Sequence, residues 1–594
     1  MELVHGPSGA AAGVPLSMPL RVRALAASAL LAIAVAVPAV ILGLRAPFAA
    51  SHSPSAGKVS ATVPNHVAPG FTGPDLKNPA AYIPAQCYAA TFDQHTQRPQ
   101  NGCFVCHQTP RSPNYIDDAA LQTELSFASY AKKNRWPNLL EAPAPVALSN
   151  EHLLELVRST NYFDGDGQIT LARRLKTLPD GWDTDQDGSW SGFVPDCWFH
   201  VDARGFDRDP HDVPSGWRAY SSPPIPGLFF PTNGAFGDTF IRLPPVYRTQ
   251  RDGSPSEEVY AINLALLEAY VQRHAVAIPA TNERALDSDL DGDGQLGIAR
   301  RIAFVWPADG EKRQRFVGAA AESTSGARPV AGLFPAGTEF LHSLRYLDVV
   351  GKEVRIANRF RELRYMRKTR YFNYSQLQQN AELEQREKRD KPDKLKRVFG
   401  DGERGITTGN GWLMQGFIEN VDGELRPQSL EETAACIGCH GGVGATTDST
   451  FSFARKLPYT SFQHSWFHPS QRDLSGVSQL RRADGQGEYS HWLEQVGGGD
   501  DFRSNSDVRR TFFRADGSLD PKASQALFSD ISKLILPSPE RAFALNSAYL
   551  GLVRTQRFSD GRELTLGEKP QILSQIEAGS TGITQVVSPA WLSR

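Results

Sequence analysis

Residues 101–110 read NGCFVCHQTP and place Cys103, Cys106 and His107 in a C-x-x-C-H unit. The unit returns far down the chain in AACIGCHGG, residues 434–442, with Cys436, Cys439 and His440. The chain has only six cysteines and 14 histidines in 594 residues, so a chance histidine after two such pairs is improbable. Two thiols at this spacing add across the two vinyl groups of a haem, and the adjacent histidine offers a ring nitrogen to iron. A C-x-x-C pair also suits zinc or a redox disulfide. Cofactors expected on the first reading are two covalently bound haem c groups, one at each unit. Porphyrin then supplies much of the core.

The export signal points the same way, since c-type haem is attached outside the cytoplasm. Arg21 and Arg23 precede the apolar run ALAASALLAIAVAVPAVILGL, Ala24–Leu44. Basic residues before an apolar stretch send the following chain outward across a membrane. The run approaches the ~20 residues that span a bilayer. Residues 1–50 therefore read as an N-terminal anchor, or as a signal cleaved after Ala50. Residues 51–80 are a Pro/Gly/Ser-rich tether. The expected location is the periplasmic side of the inner membrane, with residues 24–44 in the membrane if uncleaved. Lys+Arg total 63 and Asp+Glu 65, a balance that calls for no nucleic acid partner.

By its two C-x-x-C-H units the chain resembles bacterial di-haem c-type cytochromes. The resemblance covers a few per cent of the chain. It implies periplasmic electron transfer with a redox partner protein or a small-molecule oxidant or reductant. The alternative it implies is a di-haem oxidoreductase of peroxidase type, with one haem open to substrate. The fork rests on the second axial ligands. The four methionines include none after His440 and none soon after His107. Met414, shortly before the second unit, is one candidate; His95, His464 and His468 are the others. Cys87 and Cys197 remain, either as a disulfide or as two free thiols.

Three acidic loops lie between the haem units: YFDGDGQI with Asp164 and Asp166, DTDQDGSW with Asp183, Asp185 and Asp187, and DLDGDGQL with Asp289, Asp291 and Asp293. Alternating carboxylates before a glycine form the first half of an EF-hand calcium loop. The bidentate glutamate at loop position ~12 is missing, because Val194 and Arg300 stand there. Asp196 and Asp287 are the expected substitutes. FDGDGQITLARR (163–174) and LDGDGQLGIARR (290–301) are a repeat, each after a helical pattern. SNEHLLELVRS and SEEVYAINLALLEAYVQRH read as helices, and IARRIAFVW as a short strand.

From Val354 to Arg397 charge accumulates. ELEQREKRDKPDKLKR reads as a solvated helix. RFRELRYMRKTRYFNY interleaves Arg with Tyr, and reads as a salt-bridged surface helix or as guanidinium forks for haem propionates or an acidic partner. The expected architecture is mainly α, with irregular loops and a few short strands. Two haem c regions, residues 81–310 and 311–594, pack together, and the calcium loops lie in the first.

Overall fold

Arg359, Arg361 and their neighbours do not wind into a helix. The computed structural model describes residues 83–93, 98–114, 127–226, 236–306, 313–323, 326–394, 398–471, 474–497, 505–567 and 571–576. Residues 24–44, the tether and His95 lie outside them. Within this set the basic stretch is the long strand β9 (Glu353–Lys368), which returns antiparallel along β8 (Glu339–Val350) through a two-residue loop.

This hairpin is the middle of a nine-stranded sheet. The remaining strands are β3 (Phe206–Arg208), β4 (Pro214–Ala219), β5 (Thr239–Arg242), β10 (Phe399–Asp401), β11 (Gly405–Thr407), β12 (Trp412–Glu419) and β13 (Leu425–Pro427). The order is β10-β11-β12-β9-β8-β5-β4-β3, with β13 on β12, and every pairing is antiparallel. Strands come from both sides of residue 310, so residues 81–310 and 311–594 share one sheet. Two-stranded ribbons complete the set: β1 (Ala90–Asp93) with β2 (Arg98–Asn101), and β6 (Val276–Asn282) with β7 (Ile298–Ile302).

The expectation of a mainly helical chain is therefore overturned: the protein is mixed α/β around an antiparallel sheet. The cause is burial on both sides. The helix Glu257–Gln272, capped by Ser256 accepting from the Val259 amide, packs with Phe340, Met366, Trp412 and Met414 on one face. Trp217, Phe240, Leu341, Leu363 and Phe417 build a second core on the other. A strand covered on both faces loses the alternation that announces it in sequence. Its buried arginines hide because they find partners. Arg359 meets Glu419 at 2.6 Å, and the Arg361 guanidinium lies 3.4 Å from the Tyr549 ring centroid.

The helix expected from the capped stretch SNEHLLELVRS forms at Asn150–Arg158, and the solvated helix expected over residues 382–397 forms as Tyr374–Asp390, starting earlier and ending before Pro392. The helix Pro539–Thr555 packs with Asn150–Arg158 on the far end of the β8–β9 hairpin. The internal repeat diverges in structure. TLARR after the first loop is a short helix, Thr170–Arg174, whereas IARRI after the third is β7. Gly297 stands where the first copy has Thr170, and its amide donates to Glu283 Oε2 at 2.8 Å, which delivers Ile298 into pairing with β6.

Candidate functional site

Both C-x-x-C-H units are single helical turns. Cys103–Cys106 is helical, and the His107 amide donates to the Cys103 carbonyl at 2.8 Å. The amides of Cys439 and His440 both donate to the Cys436 carbonyl, at 3.2 and 3.0 Å. At spacings i, i+3 and i+4 the two thiols and the imidazole share one face of a turn.

The two turns meet. The Ala445 amide donates to the Cys106 carbonyl at 2.9 Å, and Asn114 Nδ2 donates to the carbonyls of Val443 and Thr446 at 3.1 and 2.6 Å. Gly444 permits the contact, since a Cβ there would lie 2.1 Å from the Gln108 carbonyl oxygen. Burial pushes the Cys439 thiol well up, and the neighbouring Cys106 adds to the rise. Cys87 is raised by burial and by Cys103 and Cys439. Five of the six cysteines therefore gather in one region. Cys197 sits in the core on the sheet's other face and is not bonded to Cys87, which corrects the Cys87–Cys197 disulfide alternative.

Cys436, Cys439 and His440 line a cavity of about 1800 Å³, open mouth included. The sheet forms its floor. Residues directly opposite in antiparallel strands point to one face. One row across β8, β9 and β12 is Phe340–Met366–Met414, and the next is His342–Arg364–Gly416. All six line the cavity.

His440 is oriented for ligation. Its Nδ1 lies 2.8 Å from the Ser449 carbonyl, which can only accept, so Nδ1 carries the proton and Nε2 the lone pair. Burial lowers its pKa. Burial and then Arg364 hold His342 down to about 3, so it too is a neutral imidazole.

Arg364 and Arg562 share Glu362 at 2.9 and 2.8 Å. Burial alone would raise Glu362, but these two guanidiniums outweigh it and hold the carboxyl at about 2, against an ordinary 4.5. A depressed carboxylate stabilises the fold above its unfolded pKa and ceases to as pH falls through the folded one. Stability should therefore decline between pH 4.5 and about 2. Acid titration of Glu362→Gln, followed by tryptophan fluorescence, should give a flatter decline across that window.

Of the proposed distal ligands, Met414 lines the cavity and is buried in the core. His464 is exposed, with Nδ1 on the Tyr459 carbonyl at 2.9 Å and its ring stacked on Tyr459. His468 is buried, with Nδ1 held by Asp238 at 3.0 Å, and does not line the cavity. His342 was not singled out from sequence, where nothing distinguishes it from other isolated histidines.

The acidic loops behave in two ways. Asp164 Oδ1 accepts the amides of Asp166 and Gln168, and Oδ2 pairs with Arg173 at 2.7 Å. In the other two, carboxylates converge: Asp183 and Asp185 with Glu403, and Asp289 and Asp291 with Glu283. Asp187 and Asp293 instead cap the amides of Ser189 and Gln295. The completing acids are not those expected. Asp196 is bound to Trp217 and Arg242, and Asp287 to Arg251. Glu283, just ahead of its loop, was within reach of sequence reading; Glu403, from beyond β10, was not. Among the described residues these are the groups of three or more His, Cys, Asp or Glu that converge on one point, and neither contains Cys or His.

A family model described as "-like lipoprotein" matches residues 72–527. An uncharacterized lipoprotein of Aquifex aeolicus (strain VF5) is 29% identical over 536 residues, covering 82% of this chain and 86% of that one. No solved structure matches. These matches, with the sheet, overturn the resemblance to di-haem c-type cytochromes. They likewise overturn the electron-transfer and peroxidase functions drawn from it. A lipoprotein family is one of exported, membrane-attached proteins, so the coarser expectation of export holds. Among the described residues no helix is long and apolar enough to cross a membrane.

Proposed function

The chain belongs to this "-like lipoprotein" family, and from its cavity we propose that it is an exported protein carrying two covalently attached haem groups side by side. One observation carries the reading: two C-x-x-C-H turns, remote in sequence, interlock through the Cys106 carbonyl and Ala445 amide at 2.9 Å beside a cavity that the second unit lines. The donor set fits a macrocycle better than zinc. Zinc wants four ligands on one tetrahedron, whereas none of these thiols belongs to a convergent group among the described residues.

Cys103, Cys106, Cys436 and Cys439 would hold the groups as thioethers, each S–H adding across a vinyl C=C so that sulfur bonds one carbon, the hydrogen goes to the other, and nothing is oxidised or reduced overall. His107 and His440 would hold the irons, and the Ser449 carbonyl fixes the tautomer of His440. Bound iron porphyrin supplies one-electron chemistry. The species such a site would meet are a redox partner protein or a small-molecule oxidant or reductant. Attachment on the periplasmic side of the inner membrane through the apolar run 24–44 belongs to the same reading.

The full chain, exported from a host with a haem-attachment system, should keep its colour on a denaturing gel and give a haem c pyridine spectrum. A colourless band in that host overturns the proposal.

Calcium at the two convergent loops braces the fold, with Glu403 and Glu283 in place of the missing loop glutamate. A ligand bound only by the folded state at 100 times its Kd adds about 2.7 kcal/mol. Added Ca²⁺ should raise the melting temperature, and Glu283→Gln with Glu403→Gln should abolish the rise. A melt indifferent to calcium refutes the brace.

A further inference from the structure

We propose that His342 is the second axial ligand to the iron held by Cys436, Cys439 and His440. The inference rests on the haem reading and names a residue that neither motif nor spacing indicated.

His342 lies within β8, paired with Thr239 of β5 on one side and Arg364 of β9 on the other. A residue in the middle of a sheet is held more rigidly than one on a loop, as a metal ligand requires. The row containing His342 and Arg364 faces the cavity, and His440 lines the same cavity from the segment after β13. Two imidazoles thus reach one space from independent parts of the fold. In the same row Gly416 presents no side chain beyond Arg364.

Met366 and Met414 lie one row along the same cavity wall, where their side chains pack with Phe340 and Trp412. The His464 ring stacks on Tyr459 with centroids 4.2 Å apart, and His468 is bound to Asp238 and lies off the cavity wall.

Electron paramagnetic resonance of the full-length holoprotein tests the assignment. In His342→Ala one of the two haems should pass from low to high spin at unchanged haem content, and added imidazole should restore the low-spin signal. His468→Ala should leave both signals alone. Unchanged signals in His342→Ala, with both haems attached, overturn the assignment. Should His342→Ala fail to fold, His342→Met is read instead. Methionine opposite histidine raises a haem's reduction potential, so one of two midpoints should rise, and two unmoved midpoints refute the ligand. Failure of the haem reading itself is distinct, because the wild-type chain would then carry no haem.

Discussion

Replacing Cys436 and Cys439 together by alanine is expected to halve the covalently bound haem while leaving the first unit loaded. The two thiols sit one helical turn apart at the cavity wall, and on the proposed reading each would make one thioether. Losing both removes the covalent link, and extraction under denaturing conditions then strips the second group. The variant should still fold, because Cys436 only packs against the margin of one of the sheet's two cores and Cys439 belongs to neither. Haem per chain, from the pyridine spectrum against protein concentration, checks this. The complementary Cys103→Ala/Cys106→Ala variant should lose the other half. A chain that keeps its full haem content without Cys436 and Cys439 would show that the second unit is not an attachment site.

The largest expected loss of stability comes from Glu432→Ala. Arg426 and Glu432 form a two-pronged pair, 2.9 Å on each prong, and both side chains are fully buried. A guanidinium cannot shed its proton to escape the apolar surroundings. Removing its carboxylate leaves a buried charge uncompensated, which costs about 3–5 kcal/mol. Glu432 also closes a capping box with Ser429 at the start of the helix Leu430–Ala434. Losing a cap adds roughly 1 kcal/mol. That helix leads directly into Cys436, so the damage reaches the cavity wall. Urea unfolding should show a large drop in midpoint at unchanged slope. Asp348→Ala, which breaks the half-exposed Arg158–Asp348 pair, should cost no more than about 1 kcal/mol. A Glu432→Ala loss as small as that of Asp348→Ala would contradict the burial argument.

Legibility in the sequence followed the range of the forces involved. The helices Asn150–Arg158, Glu257–Gln272 and Tyr374–Asp390 declare themselves locally, because Ser149, Ser256 and Asn373 cap apolar or charge-paired periods. The central hairpin does not. Arginine and tyrosine crowd β9, and their partners Glu419 and Tyr549 come from remote segments, so the stretch looks like a surface helix until the sheet is assembled. The site divides the same way. C-x-x-C-H is a short-range pattern and was visible; the contact between Cys106 and Ala445 is long-range and was not. Glu403 reaches Thr184 and Ser191 from far down the chain, and His342 is one histidine within a strand. Single residues placed by topology leave no trace in spacing.

Intact-mass measurement of the exported full chain, after acid extraction of loosely held groups, addresses the central claim most directly. The account predicts a polypeptide heavier by two haems, with Cys103, Cys106, Cys436 and Cys439 closed to alkylation. A chain of unmodified mass, with all six thiols alkylated, would contradict it.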